Sequence, residues 1–327
     1  MNEFKSVAEL INSNSNFLIA SHENPDEDAI GSTLSLGIAL EQLGKNVYLY
    51  NETGVTQALK YLPKSKKINN NLDNIPFELD TVIIVDCTDS MRVGKKFDKF
   101  ISNLSVLDIT IDHHFTKKTK SENCILDQHS PSTGFLIYKL LKELDVKITK
   151  DIADNIYSTI VGDTGSFAYS NTTAETFKVA AELLEFGVKP YEISKNIFEN
   201  EPLNKIKLLG LVLNTLQLSH GGKLATVFIT REMFNETSTT KQHTEGLINY
   251  PRSVKGVELA VLYRQEEDET KDENWKISLR AKDGINVAEI AQRFGGGGHE
   301  SAAGCSIKGE LAEVRNILLT EIEKVFK

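Results

Sequence analysis

Phe17-Leu18-Ile19-Ala20-Ser21-His22-Glu23-Asn24-Pro25-Asp26-Glu27-Asp28 passes directly from an unbroken apolar run into a loop of acids around one imidazole. Four apolar residues in a row suit a strand covered on both faces. Residues 29–43 then place apolar side chains at Ile30, Leu34, Ile38, Leu40 and Leu43 and stop at Gly44, where a helix-closing residue is expected. A second apolar run follows at 47–50. The whole reads as strand, helix, strand.

The same grammar continues outward. Strands are predicted at 81–85 and 106–111, and helices at 132–144, 150–161 and 172–186, the last closed by Gly187. Strands alternating with helices imply a mostly parallel, doubly wound α/β sheet covered on both sides. In such sheets ligands gather beyond the carboxyl ends of the strands, where the strand order reverses. Two connecting helices, 191–199 and 203–216, break at Pro202. Further strands are expected at 224–229, 257–263 and 275–279, with an exposed hairpin loop over the charged stretch 264–274. The expected organisation is a first domain over 1–187, a helical linker over 188–219 and a second, smaller α/β domain over 220–327.

A formal charge of −9 argues against a protein that coats long nucleic acids, because such binding rests on cations that displace counterions. A nucleotide ligand would then be small. Cys87, Cys124 and Cys305 are too scattered for a disulfide framework and fit reduced thiols. With no signal-like start and no apolar stretch of membrane-spanning length, the expectation is a cytoplasmic protein without membrane attachment.

Four segments carry carboxylates or imidazoles where apolar elements run out. In the first, His22, Asp26 and Asp28 supply three candidate ligands, with Pro25 limiting the loop's freedom. Asp28 is equally a candidate helix cap, whereas His22 and Asp26 have no such structural role. Asp86 follows the strand at 81–85 and reads either as a ligand bridging two cations or as an ordinary turn former. Asp112-His113-His114 ends another strand; adjacent residues there should point to opposite sides, so one histidine is a ligand and the other faces substrate or supports the ligands from behind. Asp163, in Gly162-Asp163-Thr164-Gly165, ends a helix and is a ligand candidate or a plain turn. Oxygen and nitrogen donors without cysteine favour Mn²⁺ or Mg²⁺ over a closed structural zinc site.

Near the C-terminus, Gly295-Gly296-Gly297-Gly298-His299 follows an amphipathic helix predicted at 286–294. The glycines could expose backbone N–H groups to a phosphate, or form a linker. Arg264 and Arg280 end strands and suit phosphate recognition as well as simple solvation. Residues 117–120, Lys-Lys-Thr-Lys, read as a solvated loop.

These segments, in this order, resemble the DHH phosphoesterase superfamily, and the stretch 295–304 resembles the glycine-histidine signature of its DHHA1 domain. The resemblance covers the whole chain and is nearest to the group that degrades very short oligonucleotides and dephosphorylates 3′-phosphoadenosine 5′-phosphate (pAp). It implies one Mn²⁺ held by His22, Asp26 and Asp86, and a second held by Asp28, Asp86, His113 and Asp163, with Mg²⁺ or Co²⁺ as substitutes. It also implies a catalytic His114 supported by Asp112, and nucleotide contacts from Arg264, Arg280, Gly297, Gly298 and His299. Glu27 departs from the small residue that many relatives carry. A homodimer is implied as well. Other readings are hydrolysis of linear or cyclic dinucleotides as the main role, or a nucleotide-binding module without catalysis.

Overall fold

The computed structural model describes residues 3–114, 121–266, 274–282 and 284–326, and for His299 the backbone only. The chain divides into two compact units, Met1–Asn200 and Glu201–Lys327. The 117–120 loop, and residues 267–273 of the hairpin loop expected over 264–274, lie outside the described residues; Arg264 and Gln265 instead extend one strand and Asn274 begins the next. Among the described residues no helix is long and apolar enough to cross a membrane.

The first unit opens with α1 (Glu3–Ser13), β1 (Asn16–Ser21), α2 (Glu27–Gln42), β2 (Asn46–Tyr50), β3 (Ile68–Asn69) and β4 (Thr81–Val85). It continues through α3 (Ser90–Val93), α4 (Lys95–Ile101), β5 (Leu107–Asp112), β6 (Cys124–Leu126), α5 (Thr133–Glu143), α6 (Lys150–Asp163), α7 (Ala174–Glu185) and α8 (Pro190–Phe198). Its sheet is wholly parallel in the order β3-β2-β1-β4-β5-β6. Both faces are buried: Phe17, Ile19, Ile83 and Ile109 join one core with α1, α2, α5 and α6, while Leu18, Ala20, Val82 and Ile84 pack with Val93 and Phe97 on the other. That double coverage is why β1 and β4 read as continuous apolar runs, whereas β5 alternates.

The chain builds β1, β2 and β3 in one direction and then returns to lay β4, β5 and β6 on the opposite side of β1. The switch therefore falls between β1 and β4, with β5 beside them. Register sets Ser21 level with Val85 and Val85 level with Ile111, so the next residue of each strand, His22, Asp86 and Asp112, emerges in one row.

Helix α2 crosses α6 at close range because Gly31 lacks a side chain: a Cβ there would meet Thr159 Cγ2 at 2.6 Å and the Asn155 carbonyl oxygen at 2.9 Å. The cap of α2 is Asp26, which accepts from Ala29 N–H at 3.0 Å. The alternative capping role read for Asp28 is thus corrected, and so is the reading that Asp26 has no structural role; the Asp28 carboxylate is engaged elsewhere. Glu27 is simply the first residue of a regular helix.

The second unit comprises α9 (Leu203–Asn214), β7 (Gln217–Ser219), β8 (Leu224–Ile229), α10 (Arg231–Thr237), α11 (Asn249–Ser253), β9 (Leu259–Gln265) and β10 (Asn274–Ala281). It ends with α12 (Val287–Gln292), β11 (Gly297–His299), β12 (Ala302–Lys308) and α13 (Leu311–Ile322). The sheet order is β11-β12-β10-β9-β8-β7, antiparallel except for the β8–β9 pair. Part of the glycine run, read as a loop, is a short edge strand paired with β12. Trp275, Ile277, Leu279 and Ala281 alternate into the core shared with α12 and α13.

Candidate functional site

His22, Asp26, Asp28, Asp86, His113 and Asp163 converge at the carboxyl ends of β1, β4 and β5. Nε2 of His22 lies 3.2 Å from Asp86 Oδ2 and 3.9 Å from Asp26 Oδ1. Nε2 of His113 lies 3.0 Å from Asp163 Oδ2, 3.5 Å from Asp28 Oδ2 and 3.8 Å from Asp86 Oδ1. Three sets of potential metal-ligand atoms result, each within 4.8 Å: His22, Asp26 and Asp86; Asp28, His113 and Asp163; Asp86, His113 and His114.

Backbone carbonyls fix both ring orientations. His22 Nδ1 lies 3.0 Å from the Glu23 carbonyl and His113 Nδ1 lies 3.2 Å from that of Ser130. Donation from Nδ1 leaves each Nε2 as a lone pair turned toward carboxylates, the arrangement of a metal-ligating histidine. His113 Nε2 is buried and has no aligned hydrogen-bond partner despite its proximity to Asp163. An orphaned nitrogen among carboxylates needs a cation, so the residues present fit a divalent metal.

The electrostatics agree. Burial, then the charges of Asp28, Asp26 and Asp163, push Asp86 well above the ordinary carboxylate range. Burial and the neighbouring Asp28 push Asp163 up to about 7. For His113, burial is the largest influence and favours the neutral ring, but Asp163, Asp28 and Asp86 together raise it well above the usual imidazole value. Without a metal, protons supply the missing positive charge. Asp163 is also the last residue of α6, at the end of the helix whose dipole favours a cation.

Asp86 stands at φ 61°, a left-handed conformation uncommon outside glycine and tolerated best by Asp and Asn. Its carboxylate accepts the Thr133 hydroxyl at 3.0 Å. Asp28 accepts the N–H groups of Thr133 at 2.7 Å and Gly134 at 3.0 Å, with Ser32 Oγ at 3.2 Å. The start of α5 thus positions two candidate ligands. Buried Asn51 donates to the His22 carbonyl at 2.8 Å and holds that loop. Thr133, Gly134 and Asn51 went unread in the sequence, where nothing distinguishes them from ordinary capping and turn residues.

His113 and His114 do not diverge as strand alternation predicts. Strand β5 ends at Asp112, the period-two rule ends with it, and both rings come near the same oxygen: His114 Nδ1 lies 3.5 Å from Asp86 Oδ1. Their centroids are 4.7 Å apart, edge to face. His114 is tied to Asp112, whose Oδ1 lies 2.7 Å from Nδ1 and accepts the His114 backbone N–H at 3.0 Å. Burial would raise the Asp112 carboxyl, but the His114 contacts outweigh it and hold it below its ordinary value.

In the second unit, register puts Arg280, Ala302 and the His299 backbone in one row, with Ser278, Gly304 and Gly297 in the next. The His299 side chain lies outside the described residues. Gly298 sits at φ 144°, and a Cβ there would strike the Ala303 Cα at 2.5 Å; at Gly297 a Cβ would meet nothing within 4 Å. Arg264 pairs with Lys276, four residues along the strand from the Ala260–Arg280 pair, or about 14 Å. The fold therefore brings Arg280, Gly297 and Gly298 together and leaves Arg264 apart from them.

A doubly wound parallel sheet with acids and imidazoles at its switch point, in a chain that also carries a mixed-sheet unit, defines the class of protein: a two-unit α/β protein with a candidate metal centre. Residues 16–160 match the DHH family, N-terminal domain, and residues 221–327 match the DHHA1 domain, so the chain belongs to the DHH/DHHA1 phosphoesterase family. It is 32% identical to the bifunctional oligoribonuclease and PAP phosphatase NrnA of Thermus thermophilus, across 89% of this chain and 84% of that protein. Identity to the Bacillus subtilis protein of the same description is 28%, across 88% and 87%. A crystal structure of an exopolyphosphatase-related protein from Bacteroides fragilis superposes with a TM-score of 0.90 at 26% identity, covering 98% of this chain and 96% of that one.

Proposed function

We propose that this protein is a two-metal phosphohydrolase that degrades short oligonucleotides to mononucleotides and removes the 3′-phosphate of pAp. One observation carries the reading: two ligand sets, His22-Asp26-Asp86 and Asp28-His113-Asp163, adjoin at the switch point, with Asp86 within 4 Å of both histidine Nε2 atoms. Similarity to the Thermus and Bacillus proteins supports the substrate class.

His22, Asp26 and Asp86 would hold one Mn²⁺, and Asp28, Asp86, His113 and Asp163 the other. Such a pair of ions supplies a nucleophilic hydroxide at neutral pH and neutralises charge on the phosphoryl oxygens. The chain's own groups do the rest. Thr133 and the first amides of α5 fix Asp86 and Asp28 before substrate arrives. Asp112 holds His114 with its proton on Nδ1, which leaves Nε2 to hold or release a proton at the departing oxygen.

A single assay series with Mn²⁺ tests this reading, using pAp, dinucleotides, longer RNAs, cyclic dinucleotides and pyrophosphate. Dinucleotides, oligonucleotides up to about five residues and pAp should be consumed fastest, because few clustered cations are available to grip long chains. Faster turnover of pyrophosphate or long strands would overturn the substrate assignment. Tight binding of dinucleotides without products would favour a non-catalytic module.

A further inference from the structure

Positions 276, 278 and 280 of β10 face away from the core that takes up Trp275, Ile277 and Leu279. Ala260, paired with Arg280, belongs to the opposite face, where Leu247 and Ile248 lead into α11. Helix α11, which carries Arg252, packs against β8, β9 and β10, close enough for the Arg252 charge to act on Arg280. Among the described residues neither arginine has a carboxylate partner, and Arg252 Nε is buried with no acceptor at all. The neighbouring Arg252 charge adds to burial in depressing Arg280 below the ordinary guanidinium value. Two half-buried like charges, one with an unmet donor, form a costly arrangement that an anion relieves.

We propose that Arg252 and Arg280 together bind a terminal phosphate monoester of the substrate, so that Arg252 is a specificity residue favouring ends that carry a dianion. This rests on the nucleotide-hydrolase reading above. Two guanidinium forks offer parallel N–H pairs and about two positive charges, which match a phosphomonoester near −2 better than an internal phosphodiester at −1. The open position at Gly297, one row from Arg280, leaves room for the esterified oxygen.

The test compares the full Mn²⁺-loaded chain with its R252A, R252K and R280A variants on the dinucleotides pApA, ApAp and ApA. R252A should raise KM about 10- to 100-fold for whichever phosphorylated dinucleotide the site accepts, with kcat and the KM for ApA within about twofold. The two phosphorylated arms tell a 5′- from a 3′-terminal phosphate. R252K should fall between, since it keeps charge but not the fork. Equal changes for ApA and the phosphorylated dinucleotides, or no change, would overturn the proposal. A wild-type chain that cleaves none of them would sink the hydrolase reading instead. The arginine site is then judged by whether R252A weakens AMP more than adenosine in thermal-shift binding, with no difference again overturning it. If R252A melts early, R252K and R252Q carry the comparison.

Discussion

The hydroxyl of Thr133 donates to Oδ1 of Asp86 at 3.0 Å, and the backbone N–H of the same residue donates to Asp28 at 2.7 Å. One residue thereby orients two carboxylates that come from different elements. Replacing Thr133 by Val keeps the backbone bond and the side-chain volume but removes the hydroxyl. Activity should fall about 10- to 100-fold, or the Mn²⁺ requirement should rise by that factor. Unchanged kinetics at limiting Mn²⁺ would show that the hydroxyl does not position Asp86.

Asp86 combines a left-handed backbone with a buried carboxylate, and the two roles separate by mutation. Asp86→Asn tolerates the conformation but loses the charge, so it should fold normally while losing turnover by more than about 100-fold. Asp86→Ala should lose at least as much activity and, with a Cβ residue less suited to φ 61°, some stability. Near-normal activity in purified Asp86→Asn would remove it from the ligand set.

Metal-free protein should become less stable as pH rises. Asp163, at about 7, and Asp86 both bind protons more tightly folded than unfolded, so stability drops across about pH 4 to 7; His113, also raised, extends the loss above its ordinary value. Chelated protein should therefore melt lower near pH 8 than near pH 5. Added Mn²⁺ should restore the midpoint chiefly at the alkaline end, where protons no longer compete. Calorimetry across the range checks this, and a Mn²⁺ effect equal at both ends would count against a carboxylate-rich centre.

Adjacent glycines should answer differently to the same substitution. Gly298→Ala must place a Cβ against Ala303 at a strained φ and should destabilise the second unit. Gly297→Ala has space and should leave stability within about 0.5 kcal/mol. If a phosphate approaches the backbone there, Gly297→Ala should nonetheless weaken nucleotide binding. Full affinity in that variant would mean that nothing docks on this row.

The parallel sheet was readable because β1 and β4 are apolar on both faces and β5 keeps an apolar Leu107, Ile109 and Ile111 row, and the acids at their ends stand out against that background. Strand β11 was not, since two of its three residues and the two before it are glycines with little strand preference, and pairing with β12 supplies the order. The cap of α2 was misread because Asp26 and Asp28 are chemically alike; only the amides of α5, more than a hundred positions later, decide which is engaged elsewhere. Thr133 and Arg252 acquire meaning from where α5 and α11 land on their sheets. No local pattern encodes that.

The close crossing of α2 and α6 at Gly31 has a temporal side. Asp28 depends on amides of residues 133 and 134, and its companion ligand Asp163 ends a helix that cannot dock until its last turn exists. No nascent fragment shorter than 163 residues contains the whole constellation. While the ribosome extends the chain, the acids of the first loop wait in water, and any metal they bind would be captured late, sealing the first unit rather than seeding it.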